Sequence, residues 1–148
     1  MNCTFTRLTP AVLIFAVASV ALAADVLTVA DVEKVAGVSG VSLVPRNPAK
    51  GAGGDLNFAS ADGKLLVMVR VYEKGGYDKL KKTYFAADVA NVGDEAFVAP
   101  PGVSQPYVLY LRKGPKAASV TTYFQRDGKP RLTTAQLAEL GRTVASRM

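Results

Sequence analysis

Glycine and proline divide the middle of this chain into runs too short for anything but strands and brief helices, and that segmentation constrains the fold more than any other feature. Val38 to Val44 is apolar and β-branched, the composition of a strand, and Pro45 and Pro48 interrupt its continuation. Leu56 to Ser60 and Lys64 to Tyr72 read as two strands around Ala61-Asp62-Gly63, because Asp-Gly supplies the positive backbone angles of a tight hairpin. The second of these places Leu65, Val67, Val69 and Val71 on one face and Leu66, Met68, Arg70 and Tyr72 on the other. Its first half is apolar on both sides, which predicts a central strand. Ala96 to Ala99 forms a short strand before Pro100-Pro101-Gly102. Tyr107 to Lys113 and Ala118 to Arg126 read as a hairpin across Gly114-Pro115-Lys116, and Asp127-Gly128-Lys129-Pro130 ends the sheet.

Three stretches carry helical spacing instead. Thr28 precedes Asp31 by three residues, so a hydroxyl caps the first turn while an acid lies near the positive end of the helix dipole. Val29, Val32 and Ala36 share a face and Gly37 closes the element, predicting a helix over 29–36. Gly75-Gly76 ends the preceding strand, and Tyr77 to Tyr84 fits two turns with Tyr77, Leu80 and Tyr84 aligned. Thr133 and Gln136 form a capping-box pair before Leu137, Leu140, Val144 and Met148 at core-facing intervals. The resulting order, α-β-β-β-α-β-β-β-α, describes an α+β domain. Short links between neighbouring strands predict a single, mainly antiparallel, curved sheet with the helices packed on one face. The strength of the last helix argues against a β-sandwich.

The first 23 residues have a separate logic. Met1 to Arg7 is a short start with one cation, Ala11 to Leu22 is apolar, and Ala21-Leu22-Ala23 has the small-x-small pattern a signal peptidase cuts. The apolar run falls short of the roughly 20 residues a membrane span requires. A cleaved leader over 1–23 is therefore expected, followed by a single domain over 24–148, periplasmic or secreted, with no membrane span after cleavage. Cys3 precedes the apolar run and leaves with the leader, so the remainder has no cysteine and no disulfide. Removing 23 of 148 residues leaves 125, enough for one domain that buries about two thirds of its unfolded surface. The leader holds Arg7 and no acid, so the formal charge falls from +6 for the chain to +5 for the rest. That excess favours acidic partners.

Much chemistry is excluded by composition. The chain has no histidine, and no cysteine after cleavage, which removes Cys/His zinc sites, a Cys–His pair and a Ser–His–acid triad. No calcium-loop motif occurs. We expect no metal, no cofactor and no catalytic residue, although Asp, Glu, Lys or Tyr remain available for acid–base work. Within Val92-Gly93-Asp94-Glu95-Ala96-Phe97, Asp94 and Glu95 are a possible cation site, a possible base, or simply turn acids. Lys50-Gly51-Ala52-Gly53-Gly54-Asp55 lacks the Gly-Lys-Ser/Thr of a phosphate loop and reads as a connection.

The cations offer the best basis for binding. Lys74, Lys79, Lys81 and Lys82 cluster around the middle helix, Arg112, Lys113 and Lys116 around one turn, and Arg126, Lys129 and Arg131 around another. Two such groups brought together would attract an anionic surface, with Tyr77, Tyr84, Tyr110 and Tyr123 as aromatic neighbours. Export argues against nucleic acid as the partner.

The chain resembles the uncharacterised small exported or lipid-anchored proteins of bacterial envelopes that have a capped first helix, a Gly-Asp-Glu-Ala turn, paired strands and a closing Leu/Ala helix. The residues that carry the likeness are Leu27 to Val32, Val92 to Phe97, Arg112-Lys113-Gly114 and Leu137-Ala138-Glu139-Leu140. The resemblance implies a fold and a compartment, and transfers no catalytic residue. The expectation is an exported, non-enzymatic binding or accessory domain that contacts an envelope protein or an anionic envelope component. The alternative is a small exported enzyme using acid–base groups near Asp94 and Glu95. A third possibility, pairing of another chain onto an exposed strand edge, requires a long edge free of charge and proline.

Overall fold

In the computed structural model, which describes residues 26–44, 55–99 and 107–148, Thr28 caps helix α1 (Val29–Ala36). The Thr28 hydroxyl accepts from the Asp31 N–H at 3.3 Å, and the Asp31 carboxylate accepts from the Thr28 N–H at 2.9 Å. Asp31 also receives both ends of the Arg147 guanidinium, at 2.6 and 3.1 Å, which ties the first helix to the last and holds its carboxyl down at about 2. The expected leader, the glycine cluster Gly51 to Gly54 and Pro100-Pro101-Gly102 lie outside the described residues.

The strands are β1 (Ser42–Val44), β2 (Asp55–Ala59), β3 (Leu65–Glu73), β4 (Ala87–Asp88), β5 (Glu95–Ala99), β6 (Tyr107–Lys113) and β7 (Lys116–Thr122). Helix α2 (Lys74–Tyr84) follows β3 directly, and α3 (Thr134–Arg147) closes the chain. All the strands join one antiparallel sheet in the order β1-β2-β3-β7-β6-β5-β4. This is an α+β fold. β3, expected to be central, lies against the middle strand β7, in register from Val67 opposite Thr122 to Glu73 opposite Lys116.

Strand alternation divides the sheet's two faces. Val67 and Val69 of β3, Leu109 and Leu111 of β6 and Ala118 and Val120 of β7 are fully buried in one cluster with Val32 of α1 and Leu137, Leu140 and Val144 of α3. Gly141 lets α3 approach closely, since a Cβ there would lie 2.6 Å from Leu109 Cδ2. The expectation that the helices share one face holds for α1 and α3 and is corrected for α2. Its Tyr77 packs with Phe97 and Ala117, and its Leu80 beside Tyr72 and Tyr110, all from the opposite face. The aligned stripe Tyr77, Leu80 and Tyr84 needs apolar cover, and the outward-pointing aromatics of β5 and β6 provide it.

Other boundaries also shift. Gly75-Gly76 does not separate β3 from α2 but forms the first turn of the helix. A Cβ on Gly76 would lie 3.0 Å from the Tyr72 ring, so the missing side chain lets the helix start against the strand that feeds it. β7 stops at Thr122 rather than Arg126. There the Thr122 hydroxyl donates to the Leu66 carbonyl at 3.0 Å and accepts from the Leu132 N–H at 3.1 Å, and the chain turns through a bridge between Phe124 and Pro130. Of Val38 to Val44 only the last three residues pair, because Val41 N–H is taken by the Glu33 carboxylate at 2.9 Å. The edge strands are short, three residues in β1 and two in β4, which leaves little among the described residues for another strand to extend. No helix among the described residues is long and apolar enough to cross a membrane, and they hold no disulfide.

Candidate functional site

The Gly93-Asp94-Glu95 turn engages its own carboxylates. Gly93 adopts φ of 61°, Asp94 N–H donates to the Arg112 carbonyl at 2.9 Å, and Asp94 accepts from Gly114 N–H at 2.7 Å and Lys113 Nζ at 3.0 Å. Glu95 lies between Lys81 Nζ and Arg112 Nε, the latter at 3.0 Å, and Lys81 also reaches Asp88 at 3.5 Å. The Gly114 N–H, then Lys113, lower the Asp94 carboxyl; Lys81, then Arg112, lower that of Glu95. A carboxylate acting as general acid or base near neutrality needs the opposite displacement. Two sets of candidates from the sequence, cations and acids, thus neutralise each other.

The cations fall into two regions. Lys74 N–H donates to the Pro115 carbonyl at 3.0 Å, which brings the start of α2 beside the β6–β7 turn. The groups around α2 and around that turn therefore meet, but Lys81, Arg112 and Lys113 are spent in the ion pairs above. Lys74, Lys79, Lys82 and Lys116 have no ion pair among the described residues. The third group lies at the far end of β7, whose seven residues span about 20 Å. There Arg131 donates to Ser60 Oγ at 3.0 Å and reaches Asp62 at 3.6 Å, and Lys129 reaches Asp127 at 3.5 Å. A groove of about 550 Å³ at that end is lined by Arg131, Asp62 and Lys64, already bound to one another, with Arg126, Leu66 and Phe124.

The tyrosines separate in the same way. Tyr77 is wholly buried, edge-on to Phe97 with centroids 5.4 Å apart, and its hydroxyl has no hydrogen-bond partner among the described residues. Burying an unpaired hydroxyl costs about 1–3 kcal/mol. Tyr77→Phe is accordingly expected to raise stability by about 1 kcal/mol, seen as a higher denaturant midpoint; a fall of similar size would show that the hydroxyl is satisfied. Tyr110 stacks on Phe97 at 5.0 Å, Tyr84 is exposed, and Tyr123 directs its hydroxyl to Met68 Sδ at 3.9 Å.

Because α2 covers only part of the second face, it leaves a groove of about 540 Å³ that no sequence motif announced. Its walls are Met68, Tyr72, Leu80, Tyr84 and Tyr110, its floor Ser119 and Thr121, and its charged group Arg70. Arg70 donates from Nε and Nη2 to the two Asp55 oxygens, each at 2.7 Å. The Asp55 side chain is 2% exposed and that of Arg70 48%, so the groove meets the cation and not its partner. Ser119 and Thr121 are 7% and 3% exposed, yet no group among the described residues bonds their hydroxyls. Burial raises the Tyr72, Tyr110 and Tyr123 phenols, which stay neutral at neutral pH. The alternation of Met68, Arg70 and Tyr72 along β3 was the signal available in the sequence. It defines a mixed polar and aromatic face, but not the opening above it.

No protein-family model, curated protein or solved structure matches the chain. The described residues contain no group of three or more acidic, histidine or cysteine side chains able to hold a metal.

Proposed function

We propose that this chain is an exported, non-enzymatic binding domain, periplasmic or secreted after cleavage near Ala23, that contacts an anionic envelope component through the α2 side of its sheet. An acidic partner protein would be held by the same chemistry. The observation that carries the reading is that Lys74, Lys79 and Lys82 lie along α2 with no ion pair among the described residues, on the same face of the sheet as a groove that presents Arg70. Glu73 and Asp78 in the same stretch offset part of this charge and leave a positive excess. The enzymatic alternative at Asp94 and Glu95 has weaker support, because both acids are held charged by neighbours.

The test is retention of the protein, recovered as the cell produces it, on a dextran sulfate matrix. Retention should fall steeply with salt, since exposed charges are screened beyond about 8–10 Å at physiological ionic strength. Combined Lys79→Glu and Lys82→Glu should lower it several-fold, and Lys129→Glu at the far end should leave it nearly unchanged. Salt-independent retention, or equal losses from both ends, overturns the proposal.

A further inference from the structure

We propose that the groove enclosed by β3, β7, β6 and α2 is a binding site for a small organic carboxylate with a ring-bearing, largely apolar body. The inference rests on the reading above that the α2 side is the binding face, and narrows it to a ligand class.

Size comes first. About 540 Å³ lies within the roughly 300–1,000 Å³ of small-molecule sites, and the mixture of apolar and aromatic walls with a few polar groups is the composition such sites have. Hydrogen-bond donors decide the head group. Arg70 is the one ionised side chain among the described lining residues, and with its charge balanced by Asp55 it is the guanidinium's remaining N–H groups that meet the space. Asp55 holds the guanidinium by Nε and Nη2, which fixes its plane, while no group among the described residues takes Nη1. A pre-oriented guanidinium with an unused donor edge suits a carboxylate, and the buried Asp55 keeps it from collapsing onto other groups. Ordering the cation beforehand also removes much of the entropy cost of binding.

The walls decide the body. Burial raises the Tyr72 and Tyr110 phenols, which stay neutral at physiological pH and offer ring faces without repelling an anion, and the Tyr84 ring adds a third aromatic wall. Met68 and Leu80 add adaptable apolar surface. On the floor, the Ser119 and Thr121 hydroxyls are bonded by no group among the described residues and line the open groove, available to a polar substituent or to the second carboxylate oxygen. A polycation finds no acid here, and a straight acyl chain would leave the stacking surfaces unused.

The experiment is an amide-correlation NMR titration of the isotope-labelled protein, as the cell produces it, with 3-phenylpropionate, 3-phenylpropionamide, hexanoate and inorganic phosphate. Saturable shifts are expected at Ser119, Thr121, Tyr110 and the Arg70 side chain with 3-phenylpropionate. The amide, hexanoate and phosphate should each bind at least ten-fold more weakly. Ser119→Leu, which fills the floor without touching the Asp55–Arg70 pair, should reduce 3-phenylpropionate affinity at least ten-fold. Arg70→Lys should do so several-fold; if that variant fails to fold, Ser119→Leu and the isosteric Thr121→Val carry the test. Equal binding of acid and amide, shifts confined to the α2 lysines, or no saturable shift at millimolar 3-phenylpropionate overturns the site. The Lys79→Glu, Lys82→Glu variant should keep its affinity for 3-phenylpropionate while losing matrix retention, so failure of the groove and failure of the surface reading are told apart.

Discussion

Replacing Phe97 by alanine is expected to cost about 4 kcal/mol and to loosen α2 from the sheet while α3 stays docked. Phe97 is fully buried and meets three other rings: Tyr77 edge-on at 5.4 Å, Tyr110 stacked at 5.0 Å and Phe85 tilted at 6.1 Å. With Tyr77 and Ala117 it forms a small cluster separate from the main core between the sheet and α1 and α3. Removal of the ring forfeits its transfer energy and opens a cavity that α2, anchored otherwise by the Lys81–Glu95 pair, is poorly placed to fill. Denaturant unfolding measures the total. Amide exchange distinguishes its location, with protection in α2 falling much more than in α3. Equal losses in both helices would show that the two clusters unfold as one unit and would refute this account.

Gly93→Ala should destabilise the protein by at least about 3 kcal/mol, although it adds a single methyl group. Gly93 has φ of 61°, and a Cβ there would lie 2.4 Å from the Arg112 carbonyl oxygen and 3.3 Å from its carbon. That carbonyl belongs to β6 and accepts the Asp94 N–H at 2.9 Å. It cannot retreat without opening the β5–β6 ladder at Glu95 and Arg112. Gly128→Ala is the control: φ is 80° there and nothing lies within 4 Å, so only the left-handed conformation is penalised, by about 1 kcal/mol. Thermal or denaturant midpoints of the two variants compare the effects. Similar losses would mean that the backbone contact is relieved by a small shift of β6.

The contrast explains what could be read in advance. Both capping boxes, Thr28 with Asp31 and Thr133 with Gln136, are local and fell at their expected places. The first half of β3, apolar on both faces, likewise marked a strand with a partner on each side. The face occupied by α2 was not legible, because a stripe of Tyr77, Leu80 and Tyr84 states that cover is needed and not where it lies. Gly75-Gly76 was read as a break because glycine disfavours helices, whereas here its lack of bulk admits Tyr72. The charges were countable, but their pairing was not. Lys81 and Arg112 reach Glu95 from 14 and 17 residues away, through the docking of α2 and the β5–β6 register. The groove depends on the same long-range placement, so Ser119 and Thr121 looked like ordinary strand residues.

The pairing at the centre of the sheet also dictates an order of assembly. β2–β3 and β6–β7 are joined by short turns and close early, but β3 meets β7 only after α2, β4, β5 and β6 have been made. Until residue 122 is available, the nascent β3 from Val67 to Glu73 has an unsatisfied ladder along one side. The strand whose second partner is made last is thus the one a holdase would have most reason to shield during synthesis.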